Sequence, residues 1–146
     1  MPVTASVAAK ILSGDIDGLD AGEGWPHSDT SNGVRHVLSE PPAEVWLIQV
    51  DGRTIGDCGT HGPADETGSI EIGYGLAEPF RRRGYGTEAV AALTERLARR
   101  AEVARIVARA SPENLASRRV LEKVGFHRVI STPTLDEYEF VPRQPS

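Results

Sequence analysis

Arg81-Arg82-Arg83-Gly84-Tyr85-Gly86-Thr87 separates two stretches of different hydrophobic period. Before it, Ser69 to Leu76 carries Ile70, Ile72, Tyr74 and Leu76 at every second position, the spacing of a strand. After it, between Gly84 and Arg100, Val90, Leu93 and Leu97 fall three and four apart, which predicts a helix with one buried stripe. The heptapeptide is thus a strand-to-helix turn. A helix start leaves backbone N–H groups unpaired and carries partial positive charge. Gly84 and Gly86 keep Cβ atoms away from those amides, and three arginines add attraction for phosphate. Such a turn can cradle a diphosphate. A capped helix start with solvated arginines is the plainer reading. Gly84, Gly86 and Ala89 also match a G-x-G-x-x-A dinucleotide fingerprint, but the next strand, Arg105 to Arg109, ends without the carboxylate that holds a ribose. A nucleoside-triphosphate loop fails for want of Gly-Lys-Ser/Thr.

Working outward, Glu44 to Val50 and Arg53 to Thr60 read as strands joined at Asp51-Gly52, a two-residue hairpin signal, with a polar turn from His61 to Gly68. Beyond Arg109, Ser111-Pro112 opens a further helix with Pro at its first position; Val120, Leu121 and Val124 are its stripe and Gly125 its C-terminal cap. Phe126 to Ile130 and Glu137 to Val141 close the pattern as strands. Upstream, Val3 to Leu12 predicts a short helix, Asp15 to Asn32 a loop, and Ser28 or Asp29 caps a helix running to about Ser39. The order predicts an α/β fold with a mixed sheet layered by helices. At 146 residues it is expected to be one domain, residues 1–146, with 142–146 a frayed tail.

Composition narrows the class. The chain is 39% hydrophobic and 25% charged, as soluble domains are, and no apolar run reaches the length of a membrane span. The first 13 residues lack the apolar centre of a secretory signal. The single cysteine, Cys58, excludes an internal disulfide and a multi-thiolate metal site, and points to the cytoplasm. A net charge of −5 argues against nucleic acid as a partner and tilts encounter toward cationic molecules. Basic residues nevertheless gather at 81–83 and again at Arg118, Arg119, Lys123 and Arg128.

Arg81-x-x-Gly84-x-Gly86 resembles the coenzyme A pyrophosphate loop of the GNAT acetyltransferase superfamily. Ile70-Glu71-Ile72-Gly73-Tyr74-Gly75-Leu76 resembles that family's fourth strand. Asn114-Leu115-Ala116-Ser117-Arg118-Arg119-Val120-Leu121-Glu122-Lys123-Val124-Gly125-Phe126 resembles its second cofactor motif, in the form seen in Rim-type members. The resemblance spans roughly Glu44 to Val141. It implies a GNAT fold: a central, mostly antiparallel sheet splayed between strands four and five, with helices on both faces. It also implies acetyl transfer from acetyl-coenzyme A to a primary amine in a ternary complex, without a metal. The acceptor would be a small-molecule amine or a protein N-terminus, and dimers are frequent among such relatives. A non-catalytic acyl-coenzyme A sensing module of the same fold is the alternative.

On that resemblance, backbone groups near Gly75 and Leu76 pair with pantetheine and the acetyl carbonyl. Arg81, Arg82, Arg83, Gly84, Tyr85, Gly86 and Thr87 take the pyrophosphate, and Asn114 and Ser117 reach the pantetheine or sulfur. An alkylamine, with a pKa of about 10, needs a proton acceptor before it can attack. Glu71 is the candidate, a strand-surface glutamate the alternative. Many GNAT enzymes carry a tyrosine as acid four residues before Gly-Phe; here that position is Leu121, which leaves Ser117, Tyr138 or water to protonate the thiolate. Trp25, His27, Asp57 and His61 are candidates for substrate contact, an ordinary hydrophobic anchor being the plainer reading of the Trp25 segment. Tyr74 and Tyr85 read as packing residues, and Cys58 as a small buried one. His27, His36 and His61 lack the further ligands of a metal site.

Overall fold

The computed structural model describes Trp25 and residues 44–142. The two upstream helices, His27, His36 and the C-terminal residues 143–146 lie outside the described residues. β1 (Val45–Val50) and β2 (Arg53–Thr60) form an antiparallel hairpin. Its turn residues, Asp51 and Gly52, both have positive φ, 49° and 77°, which matches the right-handed twist of the strands it joins. β3 (Ser69–Leu76) runs antiparallel to β2. A short 3₁₀ turn, Glu78–Phe80, leads to α1 (Tyr85–Ala98), then β4 (Arg105–Ala110) and α2 (Leu115–Val124). β5 (His127–Ser131) and β6 (Asp136–Phe140) complete the sheet.

The sheet order is β1-β2-β3-β4-β6-β5. Among the described strands only β3 and β4 are parallel, since α1 carries the chain back between them. β6 inserts between β4 and β5, so β5 is an edge strand with every residue exposed. The closing strands sit one residue from their predicted limits.

α2 departs more from expectation. It begins at Leu115, not Pro112, because the Asn114 side chain caps it: Oδ1 accepts from the Ser117 N–H at 3.1 Å. Ser111 to Asn114 is a separate turn, closed by the Asn114 N–H donating to the Ser111 carbonyl at 3.0 Å. Gly125 ends the helix as predicted, at φ 115°, donating to the carbonyls of Leu121 and Glu122.

Val90, Leu93 and Leu97 of α1 and Leu121 of α2 are buried against Ile70, Ile72, Ile106, Ala108 and Tyr138 of the sheet. Each aliphatic side chain so buried contributes about 1.5–3 kcal/mol relative to exposure. Both described helices therefore cover one face of the sheet. On the other face the described residue outside the sheet that is buried is Trp25.

β3 is paired unequally on its two edges. Toward β2 the register runs from Ile72 to Leu76; toward β4 it runs only from Ser69 to Ile72, opposite Arg105 to Ala108. Gly73 to Leu76 therefore have no β4 partner. This is the expected splay, between the strands that the resemblance counts as fourth and fifth.

Candidate active site

The turn beyond β3 is shaped by two left-handed residues, Arg82 at φ 65° and Gly84 at φ 86°. Gly84 is the N-cap of α1, and the first helical bond runs from the Glu88 N–H to the Gly84 carbonyl at 3.1 Å. The N–H groups of Tyr85, Gly86 and Thr87 precede that bond and point out of the helix start. Arg81 is engaged differently from its neighbours: Nε donates to the Leu76 carbonyl at 3.0 Å, tying the turn to the end of β3. Arg82 and Arg83 are exposed. The two glycines also differ. Open space surrounds Gly84, whose need is conformational, whereas a Cβ on Gly86 would touch Leu76 and Val120 at an ordinary 3.6 Å.

The unpaired half of β3 meets the start of α2. Tyr74, on the helix-covered face, places its hydroxyl 2.6 Å from Ser117 Oγ and 3.2 Å from the Ser117 carbonyl. Burial raises the Tyr74 phenol above its ordinary value, against a smaller lowering by Ser117, so the phenol keeps its proton. Tyr138 is wholly buried, and its hydroxyl accepts from Arg118 Nε at 3.0 Å. The Tyr74 ring packs against the core, as the sequence predicts, and its hydroxyl in addition reaches Ser117.

The opposite face carries charge. Glu71 points away from Ile70 and Ile72, as alternation requires. Its Oε2 lies 2.5 Å from His61 Nδ1, and its Oε1 pairs with Arg109 Nη1. Arg109 also reaches the largely buried Glu137 through Nη2 at 3.1 Å. Arg109 stands one residue past the last β3–β4 pair, so its guanidinium bridges the root of the splay. Asp57, opposite Gly75 in the register, accepts from Trp25 Nε1 at 3.0 Å, with both side chains buried. Glycines 73 and 75 thus form a side-chain-free floor between Asp57 and the Glu71–His61 pair.

Cys58 is turned to the helix side and buried; burial first, and the Asp57 charge second, push its thiol up to about 12. It lines a cavity of about 490 Å³ between β1 and α1, with Trp46, Ile48, Tyr85 and Ala92, away from the splay. Among the described residues no cluster of three or more His, Cys, Asp or Glu is arranged to hold a metal ion, and no helix is long and apolar enough to cross a membrane.

Residues 21–127 match the acetyltransferase (GNAT) domain. The chain belongs to the GNAT acetyltransferase family. An uncharacterized N-acetyltransferase of Bacillus subtilis (strain 168), YjdG, is 34% identical over 118 residues, 75% of this chain and 70% of that protein. In fold the chain is similar to the crystal structure of aminoglycoside acetyltransferase AAC(6')-Ib in complex with coenzyme A. That likeness has a TM-score of 0.67 at 22% identity, covering 97% of this chain and 92% of that one. It is also similar to RimL, a ribosomal L7/L12 alpha-N-protein acetyltransferase, in complex with coenzyme A, with a TM-score of 0.67 at 20% identity, covering 94% and 89%. This GNAT protein is an N-acetyltransferase that depends on acetyl-coenzyme A.

Arg81 is tied to Leu76 at the end of β3, and Ser117, joined to Asn114, meets Tyr74 on the same half-strand. Arg109 was missed. Arg–Glu pairing across a parallel crossover leaves no local sequence signal, since 38 residues separate Arg109 from Glu71.

Proposed function

We propose that this GNAT protein moves the acetyl group of acetyl-coenzyme A directly onto a primary amine, both substrates being bound together. The observation that carries the reading is the half-strand Gly73–Leu76: it has no β4 partner on its outer edge, where Arg81 takes the Leu76 carbonyl, and it leads through the 3₁₀ turn into the amide-lined turn. A thioester tail can pair with that edge while a diphosphate meets the N–H groups of Tyr85, Gly86 and Thr87. Asn114 and Ser117, at the start of α2, stand on the other side of the opening.

The amine would approach over the glycine floor, from the face bearing Asp57, Glu71 and Glu137. Three carboxylates there favour a cationic acceptor. A small polyamine-like or aminoglycoside-like amine, or a protein N-terminus as in the Rim-type group, fits that chemistry, with Trp25 and Asp57 at one end of the floor. Glu71 is the proton acceptor for the amine, directly or through water. The Tyr74–Ser117 hydroxyl pair supplies the proton for the departing thiolate, in place of the family tyrosine that is Leu121 here.

Thiol release from acetyl-coenzyme A, measured against a panel of amines and N-terminal peptides, tests the reading. Turnover with at least one cationic amine is expected. Binding of acetyl-coenzyme A with no turnover across the panel would favour a sensing module.

A further inference from the structure

We propose that Arg109 is a positioning residue for the reaction: its guanidinium holds the Glu71 carboxylate in one orientation at the root of the splay, and Glu137 in turn holds the guanidinium. The proposal rests on acetyl transfer with Glu71 as proton acceptor and adds the residues that aim it. Glu71 sits in the paired part of β3, opposite Val107, and Ile72 with Ala108 is the last pair before the strands part. Arg109 is the next β4 residue on the Glu71 face, because Ile106 and Ala108 turn toward the helices. β6 lies on the other side of β4, with Glu137 opposite Arg109 in the antiparallel register. Arg109 thus stands between two carboxylates carried by the strands that flank its own.

The pairing uses the whole guanidinium fork. Nε donates to Glu137 Oε1 at 3.2 Å, and Nη2 lies 3.1 Å from the same oxygen, which fixes the plane of the group. Nη1 is left facing β3 and donates to Glu71 Oε1. Glu137 is itself anchored. Its side chain is only 10% exposed, and its Oε2 lies 3.6 Å from Nη2 of Arg105, whose Nη1 meets Glu139 at 3.1 Å. The run of alternating charges therefore starts on β6, crosses β4 and ends on the carboxylate beside the opening.

A glutamate side chain loses much rotamer freedom when it is fixed, and a base must lie within hydrogen-bond reach of the proton it takes. Arg109 completes that ordering on folding, before any acceptor arrives. The carboxylate keeps room to accept a proton: its two oxygens offer about four lone-pair sites, and Arg109 and His61 Nδ1 take up two of them. A lysine at position 109 would carry the charge without the fork, so it could not face Glu137 and Glu71 in fixed directions at once.

Arg109→Ala is expected to lower kcat on the order of 10²-fold, with acetyl-coenzyme A affinity near the parent's. Guanidinium added far below denaturing concentrations should restore part of kcat, and urea at the same concentration should not. In a Glu71→Gln background the same substitution should cost little more. Arg109→Lys, which keeps a cation on the sheet should Arg109→Ala fail to fold, is expected to be slowed nearly as much. Parent-like kcat in Arg109→Lys would overturn the proposal, since charge alone would then suffice. So would a loss in Arg109→Ala that guanidinium leaves untouched, or one that is equally large with and without Glu71, because Arg109 would then serve only the sheet. A parent protein that turns over no amine, or a fully active Glu71→Gln, would instead sink the reading of the reaction itself, which keeps the two failures apart.

Discussion

At the scale of single residues, the two glycines of the turn do different work. Gly84 sits at φ 86° in open space, so a side chain there is strained by backbone alone, at about 1–2 kcal/mol. Gly86 is helical with room for a methyl group. Gly84→Ala should therefore lower stability in a denaturant titration and weaken acetyl-coenzyme A binding, whereas Gly86→Ala should leave stability equal or higher; the reverse order would contradict this account of the turn. Cys58 offers a second check. Its folded thiol titrates near 12, above the unfolded thiol, so its contribution to stability is whole below the unfolded value and is lost as pH climbs toward 12. At pH 8 a thiolate-specific reagent should label it roughly a thousandfold more slowly in the folded than in the unfolded protein. Equal rates would show that the site is open. Sequence reading got Cys58 and the packing of the Tyr74 ring right; the partner of the Tyr74 hydroxyl escaped it, because a tyrosine's ring and hydroxyl can serve different neighbours.

At the scale of elements, strands were the most legible part. β2 and β3 have their predicted limits, since period-two alternation and the Asp51-Gly52 turn are local signals. The start of α2 was misplaced because proline at a first helical position competes with asparagine at a cap. Asparagine wins here by satisfying the Ser117 N–H. Asn114 also holds Ser117, which meets Tyr74, so the cap and the site are one structure. Asn114→Ala should cost about 0.5–2 kcal/mol in thermal or urea unfolding and should lower kcat as well. A stability loss with kcat untouched would separate the cap from the chemistry.

At the scale of the molecule, a chain of net charge −5 keeps its arginine turn beyond one end of β3 and gathers Asp57, Glu71 and Glu137 on one face. For a cationic acceptor at saturating acetyl-coenzyme A, kcat/KM should fall severalfold as salt rises from about 20 mM to about 200 mM, because screening weakens that attraction. Insensitivity to salt would mean that these carboxylates do not steer the acceptor. The sequence by itself determined the alternation of strands and helices, the glycine turn before α1 and the family motifs, because each is written in neighbouring residues. Only the tertiary structure decided that β3 parts from β4 after Ile72, that Arg109 bridges the gap to Glu71, and that the His61 ring overhangs Gly73. Those contacts join residues brought together by strand register, and register follows from the packing of the whole sheet on its helices.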